Sequence, residues 1–156
     1  MKKKNFNVCF GFDHAGKDLS FFLMEKLLDK GNIVLCPQRT CMEEDPSIPI
    51  LYPAVVPLVV QEVLKKETWG VLVCGSGIGM SIAANRYLGI RAALCKDTSD
   101  AVLARQHNNA NILVLAGRTL HPDSALHCLL EFLFTDFSYG RHSKRVEMLD
   151  HMPFIG

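Results

Sequence analysis

The chain lacks any Cys-x-x-Cys pair, and no Cys/His spacing in it is that of a zinc finger. Its six cysteines, Cys9, Cys36, Cys41, Cys74, Cys95 and Cys128, are scattered instead. Four of them (Cys9, Cys74, Cys95 and Cys128) lie in or beside apolar segments, where a free thiol behaves as a small hydrophobe. That usage argues for reduced thiols and against a disulfide framework, and no metal or cofactor is expected. There is also no basic stripe. The formal net charge is +1, and the strongest basic run is Lys2-Lys3-Lys4, so a nucleic-acid partner is not expected. No apolar run approaches membrane-spanning length. The stretch Phe6 to Phe12, interrupted by Asn7 and Gly11 and followed by Asp13-His14, is too short and polar for a signal-peptide core. The expectation is a cytoplasmic protein without a membrane partner.

Internal repeats and low-complexity segments are missing too. Charged residues make up only 21% of the 156, which excludes a charge-rich disordered chain, and apolar residues make up 49%, enough for one full core. One domain over 1–156 is expected. Strand and helix patterns alternate along it. Apolar strands are expected at 7–12, 33–35, 69–73, 91–95 and 111–116. Helices are expected at about 16–30, with Leu19, Phe22, Leu23 and Leu27 on one face and Gly31 as its stop, and at 52–66, with Pro53 in the first turn. Further helices are expected at 78–88, 99–107, from Pro122 with Leu126, Leu129, Leu130 and Leu133 inward, and at 141–150. The prolines of residues 37–50 predict a long loop. The alternation implies an α/β fold: a three-layer αβα sandwich, Rossmann-like, with a mostly parallel five-stranded sheet. In such sheets ligands bind beyond the carboxyl ends of the strands. Asp13-His14, the loop 74–79, Asp97 and Arg118 all follow strand ends and should share one edge.

The loop Cys74-Gly75-Ser76-Gly77-Ile78-Gly79 is the strongest local signal. Its glycines let backbone N–H groups converge on an anion at a helix amino end. It is not a dinucleotide fingerprint, because the third glycine would fall at Met80; it lacks the Lys-Ser/Thr of a P-loop; and a cysteine phosphatase would want arginine at that same position. An anion site and a tight packing turn both stay open. Cys74 can be a base or nucleophile near a helix amino end, or a buried strand-end thiol. Asp13-His14 can orient hydroxyls and move protons, or Asp13 can cap a helix. His107-Asn108 can move a proton and hold a hydroxyl, or simply end a helix. Arg141 and Arg145, four apart, can clamp a phosphate with Arg118, or form a solvated basic face.

Taken together, Gly11-Phe12-Asp13-His14-Ala15-Gly16, the run from Cys74 to Asn85, Gly89-Ile90-Arg91-Ala92, Arg105-Gln106-His107-Asn108 and Gly140-Arg141-His142-x-x-Arg145-Val146 resemble the type B ribose-5-phosphate isomerases, a family that includes galactose- and allose-6-phosphate isomerases. The resemblance implies metal-free interconversion of ribose 5-phosphate and ribulose 5-phosphate in the pentose phosphate pathway. It makes Cys74 the base between C1 and C2, and His107 the group that assists ring opening, with Asp13 nearby. The N–H groups of Gly75, Ser76, Gly77, Ile78 and Gly79, with the Ser76 hydroxyl, would hold the enediolate oxygen. His14, Arg118, Arg141 and Arg145 would hold the phosphate, and Asn108 and Tyr52 the sugar. It further implies a homo-oligomer, dimer or tetramer, with the site near a subunit interface. Leu51 stands where the family often has Asp before Tyr-Pro, Ser76 where Thr is frequent, and Asn109 where Asp is common. Two alternatives accompany this reading: a hexose 6-phosphate isomerase of the same family, and a noncatalytic phosphometabolite-binding regulator.

Overall fold

A computed structural model describes residues 6–30, 33–35 (backbone), 47, 50–65 and 68–153. The chain runs β1 (Phe6–Phe12), α1 (Lys17–Leu28), β2 (Ile33–Leu35), α2 (Tyr52–Leu64), β3 (Thr68–Cys74), α3 (Ile78–Ala84), β4 (Ala92–Leu94), α4 (Thr98–Asn108), β5 (Ile112–Ala116), α5 (Pro122–Phe134) and α6 (Arg141–Asp150). All strand pairs are parallel, and the sheet order is β2-β1-β3-β5-β4. The helix-stopping Gly31, Lys66 and most of the loop read over 37–50 lie outside the described residues.

The side-chain period of two divides each central strand between two cores. Val8, Phe10 and Phe12 of β1, Val71 and Val73 of β3, and Leu113 and Leu115 of β5 pack with α1, α4 and α5. Cys9, Leu72, Cys74, Ile112 and Val114 face the other way, onto α2 and α3. These two cores are the outer contacts of a three-layer sandwich. Burial of each Val or Leu contributes about 1.5–3 kcal/mol, and β3, buried on both faces from Gly70 to Cys74, is firmly anchored.

The topology locates the crevice. The helix after β1 lies on one face of the sheet and the helix after β3 on the other, although the two strands are neighbours. Such a point of divergence opens a cleft at the carboxyl ends of the two strands. Asp13 and Cys74 stand there.

Helix α3 is shorter than its expected span of 78–88. It ends at Asn85, whose side-chain amide donates to the Ala92 carbonyl at 2.9 Å and accepts the Ala92 N–H at 2.8 Å. The amide thus completes the edge of β4 as a neighbouring strand would. The residues that follow turn away, with Gly89 at φ +79°. Pro57 sits inside α2 without ending it, and Pro53 occupies the first turn.

Two core thiols make stability depend on pH. Burial first, then Cys128, Asp100 and Asp97, push Cys95 from 9.0 to about 12. Burial first, then Asp97 and Asp100, push Cys128 up to about 11. The native state keeps both protons where the unfolded chain releases them, so stability falls as pH rises above 9. Melting temperature should therefore decline between pH 9 and 11. The fall should be shallower in a Cys95→Ala/Cys128→Ala variant; identical slopes would contradict the assignment.

Candidate functional site

Three loops meet at the carboxyl edge of the sheet. The Asp13 carboxylate is 6% exposed, and its Oδ1 accepts the N–H groups of Ala15 and Gly16, each at 3.0 Å. Asp13 therefore shapes the entry to α1, as a capping residue would, while lying in the cleft. Gly16 is required by a close approach: a Cβ there would lie 2.1 Å from the Val73 carbonyl oxygen of β3. On the other side, the Gly117 N–H bonds the Cys74 carbonyl at 2.8 Å and the Arg118 N–H bonds the Gly75 carbonyl at 3.1 Å. The loops after β1 and β5 are thus fastened to the end of β3.

Cys74 is 4% exposed, and its Sγ accepts the N–H of Gly77 at 3.2 Å. A hydrogen bond of this kind strengthens when the acceptor carries negative charge. Gly77 adopts φ +75°, which turns the chain into α3. The Ser76 hydroxyl is exposed and accepts the Ile78 N–H at 3.2 Å. Gly77 and Ile78 therefore spend their N–H groups inside the loop, and not all five groups of 75–79 point outward as expected from sequence. Arg118 lies over the loop, with Nη1 3.0 Å from where a Gly75 Cβ would be. Tyr52, at the start of α2, packs on Gly79: a Cβ there would meet its Cζ at 2.5 Å. His14 is exposed beside Asp13. Asp97, on the same edge, caps α4 by accepting the Asp100 N–H at 2.9 Å.

The other expected residues lie elsewhere in this chain. Helix α4 starts at Asp97, past β4, and returns along the sheet, so His107 and Asn108 come just before the amino end of β5. The register sets Ile112 opposite Gly70 and Ala116 opposite Cys74. At about 3.3 Å per residue, the two edges are about 13 Å apart along β3 alone. Arg141 and Arg145, both exposed on α6, accompany His107 at the amino edge. Arg118 therefore lies at the opposite edge of the chain from Arg141 and Arg145. The physical reason is the return direction of α5, which carries the chain from the carboxyl end of β5 to the end of α4, where α6 begins.

The amino-edge group is well held. His107 stacks on His142, with ring centroids 4.2 Å apart and planes at 8°. Arg141 Nε donates to His142 Nε2 at 3.5 Å. Arg105, 5% exposed, lies over the Trp69 ring at 4.2 Å and donates to Asn109 Oδ1 at 2.8 Å and to the Ala110 carbonyl at 2.6 Å. Its burial lowers its pKa to about 10. Arg91 donates to the Asn109 carbonyl at 3.1 Å and pairs with Asp150. Sequence reasoning assigned no role to Arg105 or His142. The signal for His142 was its spacing of four from Val146, since these two form the buried face of α6. Among the described residues no group of three His, Cys, Asp or Glu side chains could hold a metal ion, and no helix is long and apolar enough to cross a membrane.

A family model described as Ribose/Galactose Isomerase matches residues 8–149. Ribose-5-phosphate isomerase B of Escherichia coli is 34% identical over 142 residues, covering 91% of this chain and 93% of its own length. A ribose 5-phosphate isomerase structure from Thermotoga maritima superposes with a TM-score of 0.86 at 42% identity, covering 94% of this chain and 99% of that one. A structure of ribose-5-phosphate isomerase B from Mycoplasma genitalium with bound ribulose-5-phosphate has a TM-score of 0.81 at 33% identity and covers 94% and 95%.

The loop geometry has a direct test. In Gly77→Ala, the new Cβ would lie 2.5 Å from Leu94 Cδ1 at a left-handed φ. The expected cost is about 2–4 kcal/mol in denaturant unfolding, from backbone strain plus overpacking. A change below about 0.5 kcal/mol, the range of neutral surface substitutions, would contradict this backbone.

Proposed function

This chain belongs to the ribose/galactose isomerase family, and on that premise we propose that it interconverts ribose 5-phosphate and ribulose 5-phosphate in the cytoplasm through an enediolate, with Cys74 as the base and without a metal. The observation that carries the reading is the Cys74 thiol, set beside a glycine loop at the switch point of the sheet and hydrogen-bonded by the Gly77 N–H. Relatives named ribose-5-phosphate isomerase B and a neighbour with ribulose-5-phosphate bound support the substrate class.

The chemistry follows from the open-chain sugar. The thiolate takes the C2 proton of the aldose, the electron pair forms the C1–C2 double bond, and the oxygen on C1 becomes negative. The O2 hydroxyl proton passes to O1, and returning the carbon-bound proton to C1 as C2–O becomes the carbonyl gives the ketose. Donors aimed at that developing charge contribute about 3–4 kcal/mol each. The N–H groups of Gly75, Ser76 and Gly79 are the ones left to do this, aided by the Ser76 hydroxyl. The Tyr52 hydroxyl, packed on Gly79, would contact the sugar, with Asp13 nearby.

The phosphate handle requires a second copy. His14 and Arg118 line the thiol's edge, while His107, Asn108, Arg141 and Arg145 occupy the far edge of the same chain. A homo-oligomer that sets the amino edge of one copy against the carboxyl edge of another unites them. The apolar side chains beside the loop support this: Leu51 is 71% exposed, Ile78 55% and Ile82 61%. Exposed apolar side chains gathered beside a loop are what an interaction site would use. The arginines then orient the substrate through a group remote from the reacting carbons.

A second reading has one observation behind it. The family description names galactose as well as ribose, so hexose 6-phosphates belong in the same assay. Clear preference for a hexose phosphate would change the substrate and leave the proton transfer standing.

Cys74→Ala should lower kcat by about 10³-fold or more while sugar-phosphate binding persists, and should end exchange of the C1 hydrogen of ribulose 5-phosphate in D2O. Undiminished exchange would remove the thiol from the mechanism. Turnover should be unchanged in EDTA; a loss restored by a divalent ion would contradict the metal-free scheme.

A further inference from the structure

His142 has no part in the chemistry proposed so far, yet it is one of only two buried residues of α6 and is 7% exposed. Its ring lies parallel to that of His107 at 4.2 Å. Arg141 donates to its Nε2. A ring nitrogen that accepts from a guanidinium carries no proton, so this bond selects a neutral imidazole. The groups that bear on its charge are His107 from α4 and Arg141 and Arg145 from α6, each cationic or able to become so. Burial first, then these three, hold His142 below the ordinary histidine pKa.

We propose that His142 is a positioning residue: stacked on His107 and bonded to Arg141, its ring fixes the plane of the His107 imidazole relative to the phosphate-binding guanidinium. The inference rests on the reading of His107 as the group that assists ring opening. In that step the C1–O4 bond of the furanose breaks, the O1 hydroxyl gives up its proton as the C1 carbonyl forms, and O4 gains a proton. A stack with room for one charge keeps the moving proton on His107. It also links proton transfer to the arginine that grips the far end of the substrate, so both are set by one buried side chain.

Two variants separate the contacts. His142→Phe keeps a flat uncharged ring and loses the acceptor for Arg141. His142→Asn can keep an acceptor and loses the stack. For His142→Phe, KM for ribose 5-phosphate should rise severalfold, with kcat and its pH profile close to wild type. For His142→Asn, kcat on ribose 5-phosphate should fall between about tenfold and about 100-fold. Ribulose 5-phosphate has no ring to open, so exchange of its C1 hydrogen in D2O should continue at the wild-type rate in His142→Asn. Wild-type kcat in His142→Asn would overturn the proposal. So would equal loss of exchange and turnover in both variants, which marks a purely structural role, or a missing limb in the His142→Phe pH profile, which makes His142 the titrating group. If His142→Asn does not fold, the split between KM and kcat in His142→Phe decides. Failure of the underlying reading looks different: His107→Asn would turn over ribose 5-phosphate at the wild-type rate.

Discussion

The Gly117 N–H to Cys74 carbonyl bond carries the β3–β5 ladder past its last paired residues, and the Arg118 to Gly75 bond carries it one step further. From these two contacts the carboxyl edge takes its shape. They bring the Arg118 guanidinium over Gly75, and they set the direction in which the glycine loop leaves the sheet. The loop after β1 presses on the same place, because Gly16 comes against the Val73 carbonyl and Gly117 lies under Ala15. A thiol at the end of a strand buried on both faces is thus held by three loops at once. Rigid placement of this sort is what a proton transfer between adjacent carbons needs, since reacting atoms must be held close and in line.

The amino edge is built by different means. Arg105 replaces an apolar plug: it lies on Trp69 and its donors close the turn after α4. Arg91 ties that turn to the end of α6 through Asn109 and Asp150. The His107–His142 stack ties it to the start of α6. Here polar side chains, each with its partners, fix a group of cations that apolar packing could not hold. The two edges are therefore independent constructions, one of backbone and one of side chains, and in a single chain they face away from each other.

Much of this was legible in sequence. The period-two apolar strands gave the sheet, and the alternation with helices gave the layers; α6 spans Arg141–Asp150, as expected from sequence. The overreach at α3 came from reading helical periodicity through Asn85, where a side-chain amide competes with the helix by completing β4. The glycine loop was recognised, but not that Ser76 and Cys74 would take up two of its N–H groups, because short local bonds of this kind leave no periodic trace. The edge on which His107 falls follows from the direction of α4, a return helix, and so was implicit in the topology. A site near a subunit interface already implied that the residues grouped by family likeness are shared between chains; what the motifs could not convey is which of them fall on each edge of one chain.

The central claim is that two copies complete one site, the thiol from one and the His107 group from the other. Mixing Cys74→Ala and His107→Ala chains under conditions that allow subunit exchange tests it most directly. In an equimolar random mixture of two-site dimers, half of the assemblies carry one intact site, so activity should return to about a quarter of wild type. Activity that stays at the level of the separate variants, with exchange demonstrated, would place both groups in the same chain's site and contradict the account.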